Sequence, residues 1–374
     1  RLDPSDVFLK NLADPFEAAC NDGESFGNFR LKDCVVRGRE LIDWYEAKKQ
    51  MEASRKEKGR YLIGVGMACG SHGTSMFPFM PDITGITIKM NEDGTIVFTT
   101  GTSDMGNGSV TTQCMLISEV LGIPLDHIAY IKTDTDAAMS DLGAYASRGT
   151  YTSGHAAVKT AQIMRGKIAV LAAELLETTT DNLDFHDDAV WCVDIHRKFV
   201  SMKDIAVHAR EKHQEDLSCS YMFHSEAGPM SSGAHFAKVQ VDTVTGEIKV
   251  LEYAAVHDVG RVVNPMGITG QLEGGISMGL GYALCEEMKL DSTGRNQTSS
   301  FKKYHILNVK EMPKLSVDFL DSEEETGPYG AKSIGECAVV PVAPAIANAV
   351  SNAVGRQFYK LPIRPEDVLE ALAK

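Results

Sequence analysis

Hydrophobic and polar residues alternate in two pairs of short segments, and helical spacing follows each pair. "ITGITIKM" (83–90) and "TIVFTT" (95–100) alternate as strands do and flank "NEDG", whose Asp-Gly pair favours a tight hairpin turn. A second hairpin is predicted where "HFAKVQVD" and "EIKVLEYAAVHDVG" flank "TVTG" (243–246). A glycine-rich loop and a helical pattern follow each hairpin, so the sequence predicts an internal repeat of hairpin, glycine loop and helix.

The remaining segments are mainly helical. A helix is predicted from an Asp-Pro start in "DPSDVFLKNL", and a charged amphipathic helix over 37–60 that ends at Gly59. The longest helical pattern covers 153–179, and 183–210 predicts a small hairpin and a helix. Strands and helices segregate, which indicates an α+β fold. The predicted organisation is a helical connecting segment, 1–60, and a domain, 61–374, with repeat subdomains at about 61–180 and 230–374 and an excursion at 181–229.

Composition narrows the possible partners. At 374 residues and 43% hydrophobic content, the chain can form two domains or one elaborate domain with a real core. The net charge of −14 argues against a nucleic acid or an anionic membrane as partner, because either needs a basic face. No apolar run of the sequence approaches the roughly 18–20 residues that span a bilayer, so no membrane association is predicted.

Cysteine and histidine spacing excludes several metal centres. The eight cysteines contain no C-x-x-C pair, which excludes a local zinc ribbon or ferredoxin-type cluster and favours reduced thiols in a cytoplasmic protein; they are Cys20, Cys34, Cys69, Cys114, Cys192, Cys219, Cys285 and Cys337. An iron–sulfur centre would therefore lie on another chain. The histidines are dispersed, which speaks against a zinc or non-haem iron site, and His257 beside Asp258 is interpreted as a hydrogen-bonded structural residue.

Two loops combine glycine with hydroxyl side chains. "SDMGNGS" (103–109) precedes a helix, so its backbone N–H groups and the hydroxyls of Ser109, Thr111 and Thr112 could bind an anion, although a well-capped tight turn is an equal alternative. "GAYASRGTYTSG" (143–154) offers several hydroxyls and Arg148, whose guanidinium suits phosphate or carboxylate. The alternative for this second loop is an exposed segment with a solvated arginine.

A single carboxylate stands at the start of an apolar stretch. In "GPYGAKSIGECAVVPVAPAIANAV" (327–350), Glu336 follows three glycines and precedes a run of Ala, Val and Pro. It is either an acid at a helix start or a general base in a partly buried site. Further upstream, Gln271 lies just inside a predicted helix start after Asn264-Pro265. Together the loops indicate a large, polyanionic, hydrogen-bonding ligand beside one base.

Taken in order, four segments resemble the molybdopterin-binding subunit of the xanthine dehydrogenase (molybdenum hydroxylase) family. They are "TGTSDMGNGSVTTQ", "GAYASRGTYTSGHAAV", "HDVGRVVNPMGITGQLEGGISMGLGYAL" and "GPYGAKSIGECAVVPVAPAIANAV". The resemblance implies that Glu336 is the catalytic base. It also implies substrate contacts at Ala144, Tyr145 and Ala146, and cofactor contacts at Gly106, Asn107, Gly108, Ser109, Thr111, Ala146, Ser147, Arg148, Gln271, Lys332 and Ser333. Asn107 stands where the family's loop usually has a glutamine, and a solvated Lys332 is an alternative.

The resemblance implies an activity and partners as well. The expected reaction is hydroxylation of an aromatic N-heterocycle of purine or nicotinate type, with water as the oxygen source and molybdopterin, as the cytosine dinucleotide, carrying molybdenum. Electrons would leave through iron–sulfur clusters and FAD on partner subunits. The family's N-terminal half carries a "FRGxGxPQ"-type loop that this sequence lacks, so that half is an expected partner. Aldehyde or carbon monoxide oxidation, aryl-CoA dehydroxylation, and a non-catalytic cofactor-holding role are the alternatives.

Overall fold

The computed structural model of the chain describes residues 2–17, 25–131, 133–195 and 197–373. Cys20, one of the cysteines considered above, lies outside these residues. The described cysteines are all free thiols, as expected from their spacing. The described residues group into two units. The first unit takes its residues from 1–72, 229–325 and 334–374, and the second from 73–228 and 326–333.

Helices and strands alternate irregularly along the described chain. The helices are α1 (Pro4–Asn11), α2 (Leu31–Leu41), α3 (Trp44–Glu57), α4 (Ser109–Leu121), α5 (Gly154–Leu175), α6 (Met202–His213), α7 (Pro265–Leu284), α8 (Val342–Val354) and α9 (Pro365–Ala373). The strands are β1 (Tyr61–Gly73), β2 (Ile83–Met90), β3 (Ile96–Thr100), β4 (Ile128–Ile131), β5 (Leu183–His186), β6 (Ala189–Cys192), β7 (Phe199–Ser201), β8 (Ser218–His224), β9 (Met230–Asp242), β10 (Ile248–Asp258) and β11 (Lys314–Leu320). The described chain also contains a π-helical turn (Gly149–Ser153) and short 3₁₀ turns, one of which is Glu336–Ala338.

The two larger sheets have the same topology. In the second unit the order is β4-β3-β2-β8, with β2 and β3 as an antiparallel hairpin and β4 parallel to β3. In the first unit the order is β11-β10-β9-β1, with β9 and β10 as the hairpin and β11 parallel to β10. Each hairpin is followed by a helix, α4 or α7, before its parallel strand. Both predicted hairpins are therefore confirmed, and the matching topology supports the predicted internal repeat of an α+β fold.

The sheet of the first unit lies between two helical layers. Alternate residues of β9 point to opposite faces. Phe236 belongs to a core cluster with Trp44 and other residues of α2 and α3. The rings of Phe236 and Trp44 pack edge to face, with their centroids 5.4 Å apart. Ala237 and Val239 belong to the opposite cluster, which contains apolar residues of α7 and α8. β9 is therefore buried along almost its whole length, because helices cover both faces of the sheet.

The predicted helix over 37–60 is two helices. α2 ends at Leu41 and α3 begins at Trp44, because Asp43 between them has a left-handed backbone with φ of 48°. Asp tolerates this conformation, which ends one helix and lets the next start in a new direction. Both helices then present their apolar residues to the core cluster that contains Phe236. The predicted domain bounds remain a prediction, and the two units divide the chain at other positions.

One apolar segment is longer than the sequence suggested. Among the described residues, the segment Glu336–Val354 joins a 3₁₀ turn to α8, and its 19 residues with a mean hydropathy of 1.5 are sufficient by length and composition to cross a membrane. The expectation that no such run occurs is wrong, because a short turn and α8 follow each other with few charges. Of this segment, 61% is buried inside the fold, and the core helix of a globular unit has the same properties.

α8 covers β1, an outer strand of its sheet. A Cβ atom added at Gly64 or at Gly66 of β1 would collide with the backbone of Ala349, so these glycines allow the strand and the helix to touch. Asn348 Nδ2 donates to Met67 O (3.0 Å), and Asn352 Nδ2 donates to Val65 O (2.8 Å). The helix therefore satisfies backbone carbonyls that an outer strand otherwise exposes.

We expect Gly66→Ala to lower the free energy of unfolding by about 1–3 kcal/mol, because the added methyl forces β1 and α8 apart. Urea unfolding followed by circular dichroism measures this change. Gly59→Ala is the matched control, since a Cβ at Gly59 meets nothing within 4 Å. Equal stability of the two variants would contradict the close contact of β1 with α8.

Candidate functional site

The glycine loop before α4 gathers backbone N–H groups on one oxygen. Gly106 and Gly108 have φ of 98° and 70°, in the left-handed region that favours glycine. The N–H groups of both residues donate to Asp104 Oδ1, at 2.9 and 3.2 Å, and Ser109 N donates to Asn107 Oδ1 at 3.2 Å. The N–H groups predicted to bind an anion thus converge on a carboxylate of the loop itself. A Cβ at either glycine would meet nothing within 4 Å, so the loop faces open space.

Behind this loop, α4 buries polar atoms that lack a partner. Ser109 Oγ and both amide atoms of Gln113 have no hydrogen-bond partner among the described residues, and Gln113 is 0% exposed. The two residues are one helical turn apart, so they share a face of α4. Ser109 Cβ lies 3.8 Å from the Cβ position of Gly149, which places this face near the π-helical turn. Unpaired buried amides cost about 1–3 kcal/mol, so the pair suits a polar ligand.

Gln113 is a residue that the sequence analysis missed, whereas Ser109 and Thr111 were predicted. Thr111 is exposed on α4, and Thr112 Oγ1 donates to Gly108 O at 3.1 Å, so this hydroxyl is engaged within the helix itself. The signal for Gln113 was its position four residues after Ser109, on the face that continues with the buried Leu116 and Val120. A polar pair at the start of an otherwise apolar helix face is the pattern that could have identified it.

The second predicted loop contains an unusual backbone. Ala146 and Ser147 are consecutive residues with left-handed φ, 54° and 47°, which is costly for residues with a Cβ atom. Ala144 is half-buried and Tyr145 is exposed, while Ser147 is buried. The π-helical turn follows directly, and such turns are frequent at functional sites. The backbone here must be held in place by neighbouring contacts.

Arg148 supplies those contacts. Its side chain is 1% exposed, and Nε donates to Asp82 Oδ1 at 2.6 Å. Nη1 donates to Asp141 Oδ1 (3.0 Å) and to Gly143 O (2.9 Å), and Nη2 donates to the oxygens Ile83 O and Thr84 Oγ1, both at 2.6 Å. A guanidinium has five N–H donors, so all of them are used within the unit. The alternative of a solvated arginine is wrong, and a direct contact of Arg148 with a ligand would require one of these bonds to break.

The two aspartates are held by further donors. Asp82 Oδ2 accepts from Ser75 Oγ (2.8 Å) and Thr152 Oγ1 (3.0 Å). Asp141 Oδ2 accepts from Thr102 Oγ1 at 3.1 Å and also from the Thr84 hydroxyl. The sequence analysis named neither aspartate. One buried cation and two buried anions therefore tie the loop to the sheet of the second unit.

Lys332 and Ser333 belong to the same unit. Lys332 is 2% exposed, so the alternative of a solvated lysine is wrong. Ser333 Oγ accepts from the N–H groups of Thr150 (3.1 Å) and Tyr151 (2.8 Å), which fixes the π-helical turn. The second unit thus contains all the predicted cofactor residues except Gln271.

Gln271 lies in the first unit, on α7. This helix begins at Pro265, and the side chain of Asn264 caps it by accepting from Gly267 N at 3.0 Å. Gln271 is half-buried in the second turn. Gly275, one turn further on the same face, lies so close to the turn Glu336–Ala338 that an added Cβ would be 2.7 Å from Ala338 Cβ. α7 therefore packs directly on the turn that begins with Glu336.

Glu336 is half-buried at the start of this 3₁₀ turn. A Cβ at Gly70 of β1 would be 2.8 Å from Pro341 Cγ, so the segment after Glu336 also lies against β1. α8 begins only at Val342, and a three-residue turn has few aligned peptide dipoles. Glu336 thus stands at the start of the short 3₁₀ turn and not in the first turn of α8, and its role as a base or as an acid at a helix start stays a prediction. Within the first unit, glycines of β1 and α7 fix the position of this carboxylate.

His257 has the structural role that was predicted. It is fully buried, and its Nε2 lies 2.7 Å from Nε2 of His235, whose Nδ1 lies 2.9 Å from the hydroxyl of Tyr253. Burial lowers the pKa of His257 to about 3 and that of His235 well below its usual value, so both imidazoles are neutral at pH 7. Neutral imidazoles can share one hydrogen in this geometry.

Comparison with known proteins identifies the family. Residues 37–313 match the model of the molybdopterin cofactor-binding domain. The chain belongs to the molybdopterin cofactor-binding domain family. The predicted resemblance to the xanthine dehydrogenase family is thereby confirmed. The buried, unpaired atoms of Ser109 and Gln113 and the open glycine loop fit a cofactor of this kind, which carries many hydrogen-bonding groups.

Relatives and solved structures agree with this family. A putative xanthine dehydrogenase molybdenum-binding subunit of Escherichia coli is 31% identical over 374 residues, which cover 99% of this chain and 49% of the relative. A probable hypoxanthine oxidase of the same species is 34% identical, over 92% of this chain and 35% of the relative. Quinoline 2-oxidoreductase from Pseudomonas putida has the same fold, with a TM-score of 0.92, 22% identity and coverage of 100% of this chain and 50% of its own. The chain spans half or less of the length of these relatives.

We expect Arg148→Ala to lower the free energy of unfolding by about 3–5 kcal/mol, because it leaves Asp82 and Asp141 buried without their cation. Arg37→Ala is the matched control. Arg37 also pairs with two carboxylates, but its side chain is 47% exposed, so its loss should cost at most about 1 kcal/mol. Urea unfolding measures both variants, and similar losses would contradict a specific role of the buried cluster.

Gln113→Leu should raise the free energy of unfolding of the cofactor-free chain by about 1–2 kcal/mol, because it removes an unpaired buried amide at nearly constant volume. Gln162→Leu, at an exposed position of α5, is the control and should change little. Thermal unfolding with and without molybdopterin measures both effects. If the amide binds the cofactor, the variant gains less stability from molybdopterin than the wild type. A destabilised cofactor-free variant would contradict the unpaired state.

Proposed function

We propose that this chain is the C-terminal part of the molybdopterin-binding subunit of a molybdenum hydroxylase that acts on an aromatic N-heterocycle. The family match supports the cofactor class. The names of several relatives support the substrate class, namely xanthine dehydrogenase, hypoxanthine oxidase and nicotine 6-hydroxylase. The observation that carries the catalytic proposal is the placement of Glu336 on a turn fixed by glycine contacts.

Residues of both units are assigned roles in this proposal. In the second unit, the backbone of Gly106, Asn107 and Gly108, the α4 residues Ser109 and Thr111, and Lys332 and Ser333 bind the pterin or its nucleotide phosphates. Gln271 of the first unit adds an amide contact. Ala144, Tyr145 and Ala146 contact the substrate, and Ala146 and Ser147 also contact the cofactor. Arg148, whose donors are all engaged, positions this loop.

Glu336 is the general base of the proposed reaction. When bound, the molybdenum cofactor supplies two-electron redox chemistry and the activation of water. Glu336 accepts the proton that this water must lose, and a base in hydrogen-bond reach contributes about 10²–10⁴-fold to such a step. The glycine contacts of its turn fix where the carboxylate stands, which a proton transfer over hydrogen-bond distance requires.

One proposed partner follows from the length of the relatives, and the others follow from the family resemblance. The chain covers 49% of the xanthine dehydrogenase subunit, so we propose that the N-terminal half of the molybdopterin subunit completes the site. Iron–sulfur clusters and FAD on further subunits would take the electrons, the pterin would carry a cytosine dinucleotide, and the complex would be cytoplasmic.

A second candidate reaction has specific support. The large chain of carbon monoxide dehydrogenase from Afipia carboxidovorans is 28% identical over 94% of this chain. Oxidation of carbon monoxide, or of an aldehyde, would use the same cofactor class with a different substrate pocket. Steady-state assays with purines, nicotinate, aldehydes and carbon monoxide would distinguish these reactions, and activity on none of them would favour a cofactor-holding role.

Glu336→Gln should lower turnover of the purified native complex by at least about 10²-fold and leave one molybdenum per chain, because the amide keeps the shape but cannot accept the proton. Mass-spectrometric elemental analysis measures molybdenum and iron, and substrate-dependent dye reduction measures turnover. Glu273→Gln, at an exposed position of α7, is the control and should keep full activity. Full activity of Glu336→Gln would contradict its role as base, and an active complex without molybdenum would contradict the whole proposal.

A further inference from the structure

Two histidines and one carboxylate meet in the second unit at the ends of two helices. Glu174 lies near the end of α5, and His208 and His213 lie on α6. Glu174 Oε2 is 2.8 Å from His213 Nε2 and 3.4 Å from His208 Nε2, and the three ligand atoms all lie within 4.8 Å of one another. Because the histidines are dispersed in the sequence, the sequence analysis argued against a metal site. The fold brings them together because α6, which follows β5, β6 and β7, packs back on α5.

His208 is the member of this group whose buried ring nitrogen lacks a hydrogen bond within the described part of the chain. Its Nε2 is buried and has no hydrogen-bond partner among the described residues, although Glu174 Oε2 is 3.4 Å away. Glu174 Oε2 itself accepts from His213 Nε2. The carboxylate oxygens of Glu174 and the buried ring nitrogen of His208 together offer lone pairs to a cation.

The chemistry of the three ligands matches a zinc ion. Two imidazole nitrogens and one carboxylate form a ligand set of zinc sites that keep a fourth position for water. With metal–ligand bonds of about 2.0–2.1 Å, tetrahedral ligand atoms are roughly 3.3 Å apart. The spacing of Glu174 to His208 already has this value, and that of Glu174 to His213 would open by about 0.5 Å. The side chains of Glu174 and His213 are 44% and 39% exposed, so an ion can enter from solvent.

We propose that Glu174, His208 and His213 form a binding site for a divalent transition metal of the zinc type, separate from the proposed molybdopterin contacts. The ion would join the end of α5 to α6 and so fasten the excursion that contains β5, β6 and β7. The three ligands come from two helices of one unit and would leave a fourth position of the ion to water.

The test uses the purified native complex, dialysed against a chelator and then titrated with Zn²⁺ by calorimetry, with thermal unfolding as a second readout. We expect one zinc site per chain and a higher melting temperature with zinc. His208→Ala and His213→Ala should weaken binding more than about 100-fold, since even the loss of an outer hydrogen-bond partner of a ligand costs 10–100-fold. Both variants should then show no thermal shift with zinc.

His186→Ala is the matched control, because His186 is an exposed histidine beside two carboxylates but without a second histidine. It should bind zinc like the wild type. Thermal unfolding in the presence of chelator shows whether each variant is folded. If a histidine variant does not fold, His213→Gln is tested in its place. Equal zinc affinity in the wild type and both histidine variants, or no binding to the wild type at about 1 mM Zn²⁺, would overturn the proposal and leave a hydrogen-bonded cluster.

Discussion

The buried guanidinium of Arg148 is the constraint on which the second unit depends. One cation between Asp82 and Asp141 leaves a net negative charge in a dry environment, and this is tolerable only because hydroxyl and backbone donors occupy the remaining lone pairs. Loss of Arg148 would leave both buried carboxylates without their cation. The left-handed backbone of Ala146 and Ser147 immediately before Arg148 is therefore held by electrostatics and not by local preference.

In the first unit, the turn that carries Glu336 is positioned by glycines, whose lack of a side chain lets neighbouring backbones touch. Gly64, Gly66 and Gly70 let β1 touch α8 and the segment before it, and Gly275 lets α7 touch the turn of Glu336. Such contacts between backbones leave little freedom for displacement, because the packed interior cannot be compressed. The turn that carries Glu336 therefore takes its position from strand and helix geometry.

Local patterns in the sequence predicted most of the elements, whereas contacts between distant residues left no local pattern. The hairpins were predictable from two-residue alternation and from their Asp-Gly and Thr-Gly turns, and the glycine loops from their composition. The partner Asp82 stands 66 residues before Arg148, so no spacing rule connects them. The gathering of Glu174 with His208 and His213 also depends on how α6 returns to α5. The residue roles in the site came from a family resemblance, since composition indicated only a polyanionic ligand and one base.

The backbone of the glycine loop is already arranged around a single oxygen atom, which is the arrangement that the predicted anion would need. The N–H groups of Gly106 and Gly108 already converge on one oxygen of Asp104, so their orientation costs nothing further when another oxygen takes its place. Asp104 is exposed, and a displaced carboxylate there would return to water at little cost. The unpaired atoms of Ser109 and Gln113 are buried just behind the loop and cannot reach water in the same way. A ligand with both phosphate oxygens and polar ring atoms would thus gain more here than a simple anion, since only such a ligand could satisfy both groups of atoms.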